Sequence, residues 1–174
     1  KRYEVYIGTF IDDPDDRQYL DKVGEFCAEL CAPEIDPAIA RFASLRGLPH
    51  VSPLAERIGF DRDMGLAEMT GARYHADQVT VARTLPALER AKANGLDVTA
   101  GVSIHHLTLN EFDVGDYRTF FKLTPPLRCE EDRMAMVRAV ADGLIDVISS
   151  FHTPADEESK RLPFEEAAPG AVGL

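Results

Sequence analysis

At 174 residues, with 45% hydrophobic and 28% charged side chains, the chain has the size and balance of one globular domain able to bury a core. Thirty acidic against 19 basic residues give a formal charge of -11, which argues against nucleic acid and anionic membranes as partners, since phosphate binders cluster Lys and Arg. No run approaches the roughly 18 apolar residues that cross a bilayer, and Lys1-Arg-Tyr-Glu-Val5 lacks the apolar centre of a signal peptide, so a cytoplasmic protein is the expectation.

The first predicted element is a short strand over Val5-Tyr-Ile-Gly-Thr-Phe10, stopped by the acidic turn Asp12-Asp-Pro-Asp-Asp16. Tyr19, Leu20, Val23, Phe26, Cys27 and Leu30 recur at helical spacing, which predicts an amphipathic helix over Arg17 to Leu30. Pro33, Pro37, Gly47 and Pro49 make the segment from Cys31 to Val51 a long connection. The three cysteines form no framework. Cys27 and Cys31 stand four apart without a second Cys/His pair nearby, and with Cys129 they read as ordinary thiols rather than a zinc site.

Ser52-Pro53 reads as an N-cap and first helical residue, with Leu54, Ile58, Met64 and Leu66 to Met69 as apolar positions up to Gly71. A regular rhythm follows: strand from Arg73 to Val79, helix from Thr84 to Asn94 closed by Gly95, strand from Asp97 to Ser103. Thr108-Leu-Asn-Glu111 has capping-box spacing, and Tyr117 to Leu123 is β-favouring. Glu130 to Asp142 is a helix with Met134, Val137, Val140 and Ala141 inward and Gly143 as its stop, before a strand from Leu144 to Ile148. Alternating strands and helices predict an α/β fold with a parallel sheet. About four strands are in view, whereas a closed eight-fold βα barrel takes about 250 residues. The chain therefore reads as a small open domain or as part of a larger barrel, and the ending Pro169-Gly-Ala-Val-Gly-Leu174 favours the latter.

In such sheets the chemistry sits at the carboxyl ends of the strands. Three candidate loops lie there: Gly101 to Asn110, Lys122 to Arg128, and Ile148 to Pro154. His105 and His106, adjacent on a strand, would point to opposite faces; His75 and Asp77 would share one, with buried hydrogen bonding the commoner role. His152 has no carboxylate nearby in sequence to orient it, and Asp156-Glu-Glu-Ser-Lys-Arg161 reads as a solvated loop. Arg128 is expected to anchor its loop through carboxylate or backbone hydrogen bonds.

With those motifs in view the chain resembles the dihydroorotases, cyclic amidohydrolases of pyrimidine biosynthesis built on a metal-bearing βα barrel. Phe10-Ile-Asp-Asp13 is similar to the family's Phe-Ser-Asp-Asp turn, Arg73-Tyr-His-Ala-Asp-Gln-Val-Thr80 to its His-Val-x-His-Val-Ser strand, and Val102-Ser-Ile-His-His-Leu107 to Val-Thr-Pro-His-His-Leu. Lys122-Leu-Thr-Pro-Pro-Leu-Arg128 resembles Lys-Met-Asn-Pro-Pro-Leu-Arg, and Asp142-Gly-Leu-Ile-Asp146 resembles Asp-Gly-Thr-Ile-Asp. Pro163 to Leu174 resembles the substrate loop that follows, with Pro169 and Gly170 at substrate-site positions. The likeness is strong over 52–174 and weak over 1–51, which implies one partial (β/α)8 barrel domain.

The resemblance also implies which chemical positions differ. Asp12 falls where one subgroup has a metal-ligating carboxylate, and His105 keeps a ligand position, but Gln78 replaces a ligand histidine. Thr124 stands where an asparagine recognises the pyrimidine ring. Phe151 replaces the proton-shuttling aspartate, and Ala155 the last histidine of the same motif. The expectation is a catalytically silent homologue without cofactor, assembling with aspartate carbamoyltransferase or with itself. The alternatives are a working cyclic amidohydrolase with zinc and an unrelated α/β binding domain.

Overall fold

In a computed structural model the described residues are Val5, Tyr6, Gly47 and 51–173. The expected helix from Arg17 to Leu30, the turn carrying Asp12, and both Cys27 and Cys31 lie outside them, and of the expected first strand only β1 (Val5–Tyr6) is described.

Helix α1 (Pro53–Thr70) starts where Ser52 accepts a hydrogen bond from the Leu54 amide at 3.2 Å. It ends at Gly71, whose left-handed φ of 64° lets its amide reach the Ala67 carbonyl. Its 18 residues are continuous through Gly59 and Gly65. The buried stripe is Phe60, Met64 and Ala67, and Phe60 meets Tyr74 edge-on at 6.3 Å. The expected apolar positions Ile58, Leu66 and Met69 instead face outward, because a stripe at i, i+4, i+7 leaves them on the far side of the helix.

Strands β2 (Tyr74–Ala76), β3 (Val98–Ser103) and β4 (Val147–Ser149) join β1 in a four-stranded parallel sheet of order β1-β2-β3-β4. Tyr74 pairs with Val98, and Ser103 with Ser149. Helix α2 (Leu85–Ala93), preceded by a 3-10 turn at Ala82–Thr84, crosses from β2 to β3, and α4 (Glu130–Ala141) precedes β4. Parallel strands need such crossovers. One face of β2 and β3 (Tyr74, Ala76, Val98, Ala100, Val102) packs with Leu88 of α2 and with Met136 and Ala139 of α4 in a single core.

Several expected boundaries shift. The strand expected to end at Val79 ends at Ala76, and the one expected over Leu144 to Ile148 lies at Val147–Ser149. No strand forms between Tyr117 and Leu123; that stretch carries a 3-10 turn at Thr119–Phe121. The capping box belongs to Asn110 and Asp113 rather than to Thr108 and Glu111, and it starts the 3-10 turn Glu111–Val114. In α4, Met134 and Ala141 are exposed while Met136 and Ala139 are buried. The cause is Asp132, whose carboxylate accepts the Ala82 amide at 2.8 Å and sets the rotation of the helix so that 132, 136 and 139 face inward. On β4, Val147 and Ile148 are about half exposed, and no fifth strand pairs with it among the described residues.

Candidate functional site

The carboxyl end of β3 does not continue as a strand. Ser103 caps α3 (Ile104–Thr108), and Thr108 returns its hydroxyl to the Ile104 carbonyl. His105 and His106 therefore sit on a short helix rather than on opposite faces of a strand, and both are buried. The His106 Nε2 lies 3.2 Å from the Pro126 carbonyl, so it carries the proton there and donates. Its Nδ1 then accepts from the Ser103 hydroxyl at 2.7 Å. Burial pushes the His106 pKa down to about 4, so the ring is neutral at physiological pH. It is a packing group tying β3 to the Pro125-Pro126 loop. His105 differs: its Nε2 is enclosed without any hydrogen-bond partner.

Gln78 follows β2 and reaches past β3 to donate from Nε2 to the Ser149 hydroxyl of β4 at 3.1 Å. Its Oε1 is also enclosed and unpartnered. The backbone packs closely here: a Cβ at Gly101 would lie 2.6 Å from the Asp77 carbonyl, and the Val79 amide donates to the Gly101 carbonyl at 2.9 Å. His75 contacts the Thr99 hydroxyl through Nδ1 at 2.7 Å, the ordinary role expected of it. Asp77 and Gln78 also line a cavity of about 140 Å³ with Glu56, Gly59, Phe60 and Asp63; it lies between α1 and β2, on the helix side.

Arg128 anchors its loop as expected. Its Nε donates to the Thr80 hydroxyl at 3.0 Å, Nη1 to the Val51 carbonyl at 2.8 Å, and Nη2 lies 3.5 Å from the Glu56 carboxylate. Glu56 in turn accepts from the Thr80 and Val81 amides at 2.9 and 3.0 Å and from the Thr80 hydroxyl. Nothing local in the sequence singles out Glu56, because every partner lies at least 24 residues away. Cys129, next in the chain, has its thiol pushed up to about 12 by burial, so it is not a nucleophile at neutral pH.

The last segment departs most from expectation. Lys160, placed by its charged neighbours in a solvated loop, is buried at the end of the short helix α5 (Glu157–Lys160). Its ammonium donates to the carbonyls of Thr119, Ala168 and Gly170 at 3.0, 2.7 and 2.6 Å. Lys122 donates to those of Phe164, Glu165 and Ala167 at 2.8, 2.9 and 2.7 Å. Burial, together with the neighbouring Lys122 charge, lowers the Lys160 pKa.

These bonds gather several expected site residues. The Gly170 amide donates to the Lys122 carbonyl, two residues before Thr124, and the Thr153 amide donates to the Ala171 carbonyl. Gly170 has φ 122°, and a Cβ there would lie 2.1 Å from the Thr153 carbonyl. Thr124 and Pro169 are exposed and Ala155 is half-buried. Phe151 is half-buried with φ 47°, a left-handed conformation uncommon for a bulky side chain and more usual for Asp or Asn. His152 is exposed and bonds the Gly173 backbone.

Among the described residues no three His, Cys, Asp or Glu side chains gather around one point that could take a metal ion. The enclosed free donors are one imidazole nitrogen, on His105, and one amide oxygen, on Gln78. Catalytic zinc uses about three protein ligands, and neutral amides are poor ones, so the donors among the described residues do not fit a catalytic metal. Asp12, the remaining expected ligand, lies outside the described residues.

No family model matches the chain. It is 41% identical over 133 residues to a dihydroorotase of Listeria innocua serovar 6a, covering 76% of this chain and 31% of that protein. A dihydroorotase of Desulfotalea psychrophila is 43% identical over 136 residues, covering 78% and 32%. The chain thus spans about a third of the length of the curated relatives it matches. Among solved structures, a D-hydantoinase (dihydropyrimidinase) from Thermus sp. superposes with a TM-score of 0.68 over 98% of this chain and 42% of its own, at 21% identity. An L-hydantoinase from Arthrobacter aurescens gives 0.65 over 70% and 28%, at 24% identity. These two likenesses are of fold. No helix among the described residues is long and apolar enough to cross a membrane.

Proposed function

We propose that the chain is part of a dihydroorotase-like (β/α)8 barrel of pyrimidine metabolism that has lost its chemistry and serves as a cytoplasmic structural or regulatory subunit, with aspartate carbamoyltransferase as its partner. The similarity to dihydroorotases over 133 residues supports the family, and the parallel sheet with its crossover helices supports the barrel.

The observation that carries the silent reading is Phe151. It stands at the carboxyl end of β4, where the resemblance calls for a carboxylate that shuttles a proton, and its backbone keeps a φ of 47° that suits Asp better than Phe. A phenyl ring neither accepts nor donates a proton. Gln78 supports the same reading, since a neutral amide, whose oxygen is a poor zinc ligand, stands where the resemblance calls for a ligand histidine. The test is metal content and dihydroorotate turnover, in both directions, of the full-length protein purified without chelator. Neither zinc nor turnover is expected, and co-purification with aspartate carbamoyltransferase is. Near-stoichiometric zinc with turnover would overturn the reading.

One observation favours a second reading, a working cyclic amidohydrolase: the His105 Nε2 is enclosed and unpartnered, as an imidazole is when its ligand is missing. In that case a metal-dependent rate on dihydroorotate or a hydantoin would disappear in His105→Ala.

A further inference from the structure

Between Pro163 and Gly173 the chain has neither strand partners nor more than a turn of its own, yet most of its carbonyls are hydrogen-bonded. Those of Phe164, Glu165 and Ala167 turn onto the Lys122 ammonium, and those of Ala168 and Gly170 onto Lys160. An ammonium has three N–H donors, and each of these two groups has three carbonyl acceptors, so each cage is complete. Neither lysine forms an ion pair among the described residues: the buried Lys160 charge is compensated by carbonyl dipoles, and the half-buried Lys122 charge by carbonyl dipoles and by the Phe164 ring, whose centroid lies 5.6 Å from its ammonium. The third acceptor of Lys160 is Thr119, and the Thr119 hydroxyl donates back to the Lys160 carbonyl at 2.5 Å, so the cage also joins the loop to the segment leading into Thr124.

We propose that Lys160 and Lys122 are positioning residues: their ammonium groups act as fixed internal cations on which the loop Phe164–Gly170 is shaped, and this places Pro169 and Gly170 beside the carboxyl end of β4. Five carbonyls of this loop, those of 164, 165, 167, 168 and 170, converge on the two positive charges. The loop would keep that shape in a silent or a working barrel alike.

The experiment follows backbone amide exchange over 163–173 in the full-length protein, for wild type, Lys160→Ala and Lys160→Met. The Gly170 amide, bonded to the Lys122 carbonyl, is expected to be protected in the wild type. Lys160→Ala should exchange faster in this segment by about tenfold or more, since charged hydrogen bonds are the strong ones. Propylammonium, which replaces the atoms removed, should restore protection, whereas sodium at equal ionic strength should not. Lys160→Met keeps the apolar stem, so it should exchange fast and resist rescue. Unchanged exchange in Lys160→Met, or equal rescue by sodium, would overturn the proposal. Should the variants fail to fold, the wild type decides: a caged ammonium gives a slowly exchanging 15Nζ signal for Lys160, and its absence would also overturn it.

Discussion

The two sides of the sheet are held by different means. Towards the helices, Phe60, Met64, Tyr74, Leu88, Val102 and Met136 form an apolar core in which residues are interchangeable in kind. Towards the strand ends the apolar cluster is small, Val114, Leu123, Leu127 and Ala171, and the segments are joined by an arginine and two lysines, each with at least one bond across 40 or more residues. Burial by area is non-directional, whereas a caged cation accepts one geometry. The helix side can drift in sequence and keep its shape; the strand-end side keeps its shape only while particular groups stay in place.

The comparison breaks most sharply at Arg128. Arg128→Ala leaves the Glu56 carboxylate, with its side chain only 16% exposed, without its cation, and the expected loss is about 3–5 kcal/mol by urea unfolding. A loss below that of the core truncation next described would mean that the polar side is not the more exacting one. Leu88→Ala, at a fully buried position of the helix side, is expected to cost about 3 kcal/mol. Its effect should fall on the whole fold, leaving exchange rates at 163–173 no more affected than elsewhere.

The most gradual effect is one of pH. Burial lowers the folded pKa of His106 from 6.5 to about 4, so as pH falls below 6.5 the unfolded chain takes up the proton first and stability declines until about pH 4. At about 1.4 kcal/mol for each pKa unit the decline has a ceiling of about 3.5 kcal/mol, reached only if the ring stays neutral down to pH 4. His106→Gln should flatten this part of the unfolding profile. An unaltered slope between pH 4 and 6.5 would assign the acid loss to other groups.

What could be read from the sequence follows the same division. The crossover helices and β3 are visible because their signals are local: Ser52-Pro53, Gly71, Gly95 and a 3.6-residue period. The inward face of α4 was not legible, since Met134, Met136, Val137 and Val140 offer two stripes and the choice is made by Asp132 bonding Ala82, 50 residues away. Of the site, the role of Arg128 was legible from its place after Pro-Pro-Leu. Lys160 was hidden among Asp156, Glu157, Glu158 and Arg161, because charge in sequence suggests solvent and only the folded chain supplies the carbonyls that enclose it. The pair His105-His106 misled through an assumed strand, where Ser103 in fact starts a helix.

The two cages also bear on the order in which the molecule assembles. Lys122 meets Phe164 at a separation of 42 residues and Lys160 meets Thr119 at 41, so each closure waits for the intervening α4 and β4 to be in place. Contacts of such long sequence separation form late, after the local helices have collapsed onto the sheet. The loop that borders the strand ends therefore acquires its shape after the local helices, and a substitution in either cage would leave the early folding rate untouched while hastening the loop's departure from the native state.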